Sequence, residues 1–454
     1  MSSAQNRLNA IVKAYDIRGL SPEELDPDLA RSLGAAFVRF LGVDRIVTAY
    51  DMRESSPGLA AAFAEGATSQ GADVVEAGLG STDLLYFASG TLGVPGAMFT
   101  ASHNPARYNG IKLCRAGAAP VGLETGLAEI RDLAGAGVPA YDGATGTVTK
   151  VDLLADYATY LIGLVPGVRD IRRLSVVVDA GNGMGGLTVP EVFKSLPLDV
   201  TPMYFELDGS FPNHEANPIE PENLRDLQAE VVRQGADVGL AFDGDADRCF
   251  VVDETGGIVS PSVLTALIAE RELAREPGGT VIHNLITSHA VPEIVRENGG
   301  TPVRTRVGHS FIKATMAETG AVFGGEHSGH FYFRDFWRAD SGMLAALHAI
   351  AALGNSDRPL SALLASYDRY IGSGEVNSQV ADTAESLAAV KAEFGSRPGA
   401  SSDELDGLTI DFGDAGWFNV RPSNTEPLLR LNVEASDLAS MEKLRDEVLS
   451  VIRG

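Results

Sequence analysis

The sequence predicts an α/β protein of three successive, related mixed α/β domains followed by a smaller α+β domain. Three observations carry this expectation. Short Val- and Ile-rich runs alternate with helix-length amphipathic stretches over most of the chain, the pattern of parallel strands joined by crossover helices. With 454 residues and 44% hydrophobic content, the chain is long enough for several cores and too long for one ordinary domain. Beyond Gly372 the pattern changes: Leu429, Leu431 and Val433 alternate with Arg430, Asn432 and Glu434, a period of two that indicates a half-buried antiparallel strand.

In order, residues 45–50 read as a strand, 58–70 as a helix, and 72–77 and 96–100 as strands. The second domain opens with the Val run at 174–179 and closes with a strand at 237–242; the third has strands near 280–285, 301–307 and 321–324. In the last, 383–394 reads helical, 408–420 and 428–433 read as strands, and 437–452 reads as a terminal helix. A Gly- and Ala-rich stretch at 134–147 and a turn-rich break at 253–257 set the expected domains at 1–145, 146–256, 257–370 and 371–454.

The 36 Lys and Arg residues against 61 Asp and Glu give a formal net charge of -25, which repels nucleic acid and anionic membrane surfaces. Neither is an expected partner. A phosphorylated ligand would have to be bound by local clusters of Arg, Lys, His and backbone N–H groups. Cys114 and Cys249 are the only cysteines, which excludes a disulfide framework or a thiolate metal cluster and suits a reducing compartment. The first residues lack the apolar core of a signal peptide, and the apolar stretch at 343–353 is shorter than the ~20 residues that span a bilayer. A cytoplasmic protein is expected.

Five stretches carry chemistry. Thr100-Ala101-Ser102-His103-Asn104-Pro105 lies just beyond a predicted strand, where open α/β sheets place ligands, so Ser102 is a candidate nucleophile. Alone, these residues also suit a plain turn. Asp243-Gly244-Asp245-Ala246-Asp247-Arg248 puts carboxylates at every other position, a repulsive set that suits a hard divalent cation such as Mg²⁺. An EF-hand reading, with Glu254 at the twelfth position, fails because Arg248 stands where Gly is needed and the flanks read as strands. The turn Asp179-Ala180-Gly181-Asn182-Gly183-Met184-Gly185-Gly186, with Glu206 twenty residues on, matches a dinucleotide fingerprint and supports a rival oxidoreductase reading; packing explains such a turn equally well. Gly324-Gly325-Glu326-His327-Ser328-Gly329-His330 offers a carboxylate, a hydroxyl and two imidazoles, a set that could read sugar hydroxyls. Arg421-Pro422-Ser423-Asn424-Thr425-Glu426-Pro427 contains a capping-box spacing, but the residues after it alternate as a strand. It supplies instead the hydroxyls, N–H groups and guanidinium of a phosphate site.

In this order the five stretches resemble the α-D-phosphohexomutase family over nearly the whole chain. Tyr15-Asp16-Ile17-Arg18-Gly19 is similar to the family's N-terminal signature, which places Tyr15 and Arg18 on the substrate side. The resemblance implies three related α/β domains and a TATA-binding-protein-like fourth domain around one central cleft. It implies Ser102 as phosphoryl carrier and Asp243, Asp245 and Asp247, with a phosphate oxygen on Ser102, as Mg²⁺ ligands. Glu326 and Ser328 would contact sugar hydroxyls, and Arg421, Ser423, Asn424 and Thr425 the distal phosphate. Lys112, Arg248, His309 and His330 match residues lining the cleft, and His103, His309, Lys112 and His330 are candidates for proton transfer. The implied reaction interconverts hexose 1-phosphate and hexose 6-phosphate through a phosphoserine and a hexose 1,6-bisphosphate, which is also the implied activator. The loop Glu326 to His330 and the following Phe331-Tyr332-Phe333-Arg334-Asp335-Phe336 look more like the bacterial phosphomannomutase and phosphomannomutase/phosphoglucomutase branch. Mannose phosphates are therefore expected first and glucose phosphates second, with dedicated phosphoglucomutase or phosphoglucosamine mutase activity as alternatives. A non-catalytic sugar-phosphate sensor is the rival outside enzymology.

Overall fold

A computed structural model of the chain describes residues 3–422 and 428–454. The chain divides into two compact units, one of Met1–Ser260 with Ser328–Leu363, the other of Pro261–His327 with Leu364–Gly454. Among the described residues, no helix is long and apolar enough to cross a membrane.

The first unit begins with strands β1 (Ile17–Leu20), β2 (Arg45–Tyr50), β3 (Asp73–Leu79), β4 (Gly96–Phe99), β5 (Tyr108–Arg115), β6 (Ala119–Pro120) and β7 (Val148–Lys150). They form one sheet in the order β1-β5-β4-β2-β3-β7, with β6 on β5. Strands β2, β3, β4 and β7 run parallel, as crossover helices require. β5 runs antiparallel to β4 and β1, because the short loop between β4 and β5 is too brief for a crossover. The helices Pro27–Leu41 and Ser56–Ser69 cover one face over a core of Phe37, Phe63 and Phe99, the last two meeting edge to face at 5.4 Å.

A second sheet contains β8 (Leu174–Asp179), β9 (Leu198–Met203), β10 (Val238–Phe242), β11 (Cys249–Asp253) and β12 (Ile258–Val259), in the order β12-β11-β10-β8-β9. β8 is parallel to β9 and β10, and Val176, Val177 and Val178 are fully buried, which is why this strand reads as a continuous apolar run. β11 returns antiparallel to β10 after residues 243–248. The two sheets thus share one device: a parallel strand, a short loop, and an antiparallel return.

Residues 328–363 complete the unit with a hairpin of Phe331–Phe333 and Ala339–Asp340 and the almost wholly buried helix Gly342–Gly354. Trp337 stacks on Tyr160 at 5.2 Å, and Phe87 and Phe336 close the cluster. In the second unit, Thr280–Asn284 lies between parallel Thr301–Thr305 and Phe323–Gly325. A final antiparallel sheet runs Ile371–Gln379, Leu428–Ala435, Trp417–Pro422, Leu408–Asp411, Ser401–Asp403, covered by helices Thr383–Phe394 and Leu438–Arg453. The single strand expected over 408–420 is a hairpin, broken by the turn Gly413–Ala415.

Candidate active site

Ser102 follows β4, and its backbone takes the left-handed conformation with φ 51°. For a residue with a Cβ this costs on the order of 1 to 3 kcal/mol and persists only where the surroundings enforce it. Arg53, 1% exposed, supplies the enforcement. Its Nη2 donates to the carbonyls of Ser102 (2.8 Å) and Asn104 (2.6 Å), and its Nη1 to those of Pro105 and Tyr108 (3.0 Å each). Nε donates to Asp51 at 3.2 Å, so all five N–H groups of the guanidinium have partners. Thr100 Oγ1 accepts from the Ser102 N–H at 2.8 Å. Arg53 was not among the expected site residues; its signal in the sequence is Asp51-Met52-Arg53 directly after the central strand β2.

Ser102 Oγ donates to Asp243 Oδ2 at 2.8 Å, across 141 residues of sequence. Arg248 donates to the same carboxylate through Nε at 2.9 Å and through its backbone N–H at 3.2 Å. Lys112, on β5, donates to Oδ2 of Asp245 (2.7 Å) and of Asp247 (2.5 Å). The three aspartates are at most 1% exposed. Burial, together with Asp247 and Asp245, pushes the Asp243 carboxyl up to about 7 against the opposing charge of Arg248. Burial acts the same way on Asp245, but Lys112, Thr82 and Ser102 outweigh it and hold that carboxyl far below its usual range. Burial would lower the Lys112 ammonium, yet Asp245 and Asp247 keep it well above its ordinary value.

Oδ1 of Asp245 and Oδ1 of Asp247 are buried without a hydrogen-bond partner, and one oxygen from each of the three aspartates lies within 4.8 Å of the others. Buried carboxylate oxygens converging in this way, all hard donors, fit a divalent cation of the Mg²⁺ type.

Gly244 permits this assembly. A Cβ there would stand 2.4 Å from the Ser102 carbonyl oxygen, and a Cβ on Gly183 would stand 2.6 Å from that of Gly244. The Ser102 loop, the aspartate loop and the Gly-rich turn are therefore stacked in van der Waals contact. The turn's N–H groups are engaged within the protein: Gly181 to Asp179 Oδ1, Asn182 to the Tyr204 carbonyl, and Met184 to the Gly244 carbonyl. Gly181 to Gly186 is thus a packing element under the aspartate loop, not a dinucleotide cradle.

His103 Nδ1 lies 3.3 Å from Ser102 Oγ. Burial, with Arg248 and Arg18 behind it, depresses the imidazole to about 2, so His103 is neutral at physiological pH. His330 bridges the backbone of Arg248; its Nδ1 is 2.9 Å from Ser328 Oγ and its Nε2 3.8 Å from Asp247 Oδ1. Arg18 donates to Asn104 Oδ1 and to Asp16, each at 2.6 Å, and Tyr15 is half-buried just before β1. These residues all belong to the first unit. In the second, Glu326 accepts from the Gly308 N–H at 3.0 Å and from Asn284 at 3.4 Å, and Arg421 donates to Glu375 at 2.7 Å. His309 opens the helix His309–Thr319. Ser423, Asn424 and Thr425 lie outside the described residues.

A serine held out of relaxed geometry at a strand end, set against three buried carboxylates and two cations, on a multidomain α/β frame, has the parts that phosphoryl transfer needs. Models of the phosphoglucomutase/phosphomannomutase family match along the whole chain: alpha/beta/alpha domain I at residues 9–136, domain II at 156–257, domain III at 260–370 and the C-terminal domain at 375–451. The chain belongs to this family. It is 42% identical over 450 residues to "Phosphohexose mutases" of Xanthomonas campestris pv. campestris, covering 97% of this chain and 99% of the relative. It is 40% identical over 453 residues to a phosphomannomutase of Escherichia coli (strain K12), covering 97% and 98%. The crystal structure of a phosphoglucomutase/phosphomannomutase family protein from Burkholderia thailandensis superposes with a TM-score of 0.89 at 33% identity, covering 100% of this chain and 98% of that one.

Proposed function

We propose that this protein interconverts hexose 1-phosphates and hexose 6-phosphates, mannose phosphates first and glucose phosphates second, by way of a phosphoryl group carried on Ser102. The observation that carries the reading is the 2.8 Å contact of Ser102 Oγ with Asp243 inside a converging aspartate set. The mutase names of relatives at 40 to 42% identity support it. Asp243, Asp245 and Asp247, with an oxygen on Ser102, would hold Mg²⁺, which when bound neutralises phosphoryl charge. In each half-reaction the bond between Ser102 Oγ and phosphorus breaks as one forms to a sugar hydroxyl oxygen, or the reverse, and the two halves pass through a hexose 1,6-bisphosphate that also serves as activator.

Lys112 and Arg248 flank the phosphoryl position with fixed positive charge. His330 and His309 are the candidates for taking the proton of the sugar hydroxyl; His103, with its imidazole depressed to about 2, and Lys112, kept protonated by Asp245 and Asp247, are poor proton acceptors and act through position and charge. Arg421 with Ser423, Asn424 and Thr425 would bind the phosphate that does not react, Tyr15 and Arg18 the substrate side, and Glu326 and Ser328 the ring hydroxyls. The reading carries with it four domains at 1–145, 146–256, 257–370 and 371–454, and a cytoplasmic protein whose partners are small sugar phosphates.

Intact-protein mass measurement before and after incubation with glucose 1,6-bisphosphate and Mg²⁺ tests it. The expected result is a gain of one phosphoryl group, mapped to Ser102 and absent in Ser102→Ala. A protein that gains none, or gains it elsewhere, overturns the reading.

A further inference from the structure

We infer that Thr82, at the start of the helix Thr82–Leu92, is a positioning residue that fixes which oxygen of Asp245 is offered to the divalent cation. The inference rests on the reading of the aspartate loop as a metal site. Thr82 holds Asp245 twice: its hydroxyl donates to Oδ2 at 2.6 Å and its backbone N–H donates to the Asp245 carbonyl at 3.0 Å. Both residues are fully buried, and they stand 163 positions apart in sequence.

A carboxylate oxygen has two lone pairs. Those of Asp245 Oδ2 are taken by Thr82 and by Lys112 Nζ at 2.7 Å; Oδ1 has no hydrogen-bond partner. The carboxylate is thereby set to bind a cation through one oxygen in one direction. Lys112 cannot set that direction alone, because its ammonium ends a flexible stem and is shared with Asp247 at 2.5 Å. Thr82 can. Its hydroxyl is carried on a short side chain, and its backbone N–H, one of the first-turn groups that a helix leaves without an internal partner, is held by the Asp245 carbonyl.

The helix start is itself pinned from three sides. Asp83, fully buried, accepts from Tyr157 OH at 2.8 Å, from Ser341 Oγ at 2.6 Å and from Ser81 Oγ, and Ser81 caps the helix through the Leu84 N–H at 3.3 Å. Thr82 therefore meets the aspartate loop as part of a rigid anchor. The positive end of the helix also faces Asp245, which favours its ionised form.

The test is direct Mn²⁺ binding, followed by electron paramagnetic resonance of free Mn²⁺, on the full chain and on Thr82→Val, Thr82→Ala, Thr82→Ser and Asp245→Asn. Removing a group that orients a metal ligand costs roughly 10- to 100-fold in affinity. Thr82→Val, close to Thr in volume but without the hydroxyl, is expected to weaken Mn²⁺ by about 10-fold or more, while the Michaelis constant for sugar phosphate stays within about 2-fold. Thr82→Ala takes the same test if the Val variant does not fold. Thr82→Ser, which keeps the hydroxyl, is expected to bind Mn²⁺ as the wild type does.

Wild-type Mn²⁺ affinity in the Val or Ala variant overturns the inference. So does an equal loss in the Ser variant, which would assign the effect to the methyl group. Unchanged affinity in Asp245→Asn would instead strike at the metal site itself, so the two failures are distinguishable.

Discussion

Arg53 shows how one side chain can hold a strained loop. Its five donors reach one carboxylate and four carbonyls spread over Ser102 to Tyr108, a fan that no ammonium reproduces. Arg53→Lys, with three donors for those five acceptors, is expected to leave at least two of the acceptors without a donor and to lower stability by about 2 to 5 kcal/mol, read as a shift of the urea midpoint at unchanged slope. Arg421 acts differently. It is paired with Glu375 and proposed to bind the phosphate that does not react, so Arg421→Ala should raise the Michaelis constant for sugar phosphate about 10-fold or more with a smaller change in kcat; steady-state kinetics check this, and a pure kcat defect would move Arg421 into the chemistry. The legibility of the site divides along the same line. Asp243, Asp245 and Asp247 announce themselves because three carboxylates in five residues repel, and Ser102 because it ends a strand. Arg53 left only the weak signal of Asp51-Met52-Arg53 after a central strand, since it works through backbone carbonyls, and Thr82 left none, since it works through a partner 163 residues away.

At the scale of elements, the loops after β4 and β10, which hold Ser102 and the three aspartates, come together at the ends of parallel strands that are each followed at once by an antiparallel one. The strands and the turns between them were readable from apolar runs and Gly. The edge strand Ile371–Gln379 was not: its sequence, IGSGEVNSQ, is polar, largely exposed and without alternation, so only its pairing with Leu428–Ala435 makes it a strand. The hairpin inside 408–420 was missed because its turn is short and flanked by apolar residues on both sides. The Gly-rich turn after β8 invites a pH experiment. His214 Nε2 lies 2.9 Å from Asp179 Oδ2; burial lowers the imidazole, but the bond and the charge of Asp179 outweigh it and raise the pKa above 6.5. A raised folded-state value means that the protonated pair stabilises the fold fully below 6.5 and less as pH climbs through the folded pKa. Wild type should therefore lose stability relative to His214→Gln between about pH 6 and 8, measured by thermal melts across that range; parallel curves would show that the pair carries no charge.

On the scale of the molecule, substrate choice and chain order matter most. Mannose and glucose differ in the orientation of one hydroxyl, and one polar contact is worth about 1 to 3 kcal/mol, roughly 5- to 150-fold. A bisphosphate that must present either end cannot be gripped tightly at that carbon in both poses, so the preference for mannose over glucose 1-phosphate should not exceed about 10² in kcat/KM. Measuring both sugars and glucosamine 1-phosphate on one preparation checks this; a preference for glucosamine would refute the assigned substrate while leaving the reaction type. Chain order bears on assembly, because the first unit takes its hairpin and its buried helix Gly342–Gly354 from residues that follow a segment of the second. In a fragment of residues 1–260 the first sheet keeps its own core, but the part from 146 to 260 should consequently lose its protection from proteolysis, and a fragment resistant through residue 260 would show that the later segment is dispensable. The same interleaving has a consequence on the ribosome. The backbone bridge from Arg248 to His330 cannot form until synthesis has passed residue 330, and at roughly 5 to 20 residues per second the wait between residues 260 and 363 lasts on the order of 5 to 20 seconds. Throughout that interval the apolar faces awaiting Leu344, Leu347 and Ile350 are open, which makes the half-made chain a natural client for chaperones that bind nascent polypeptides.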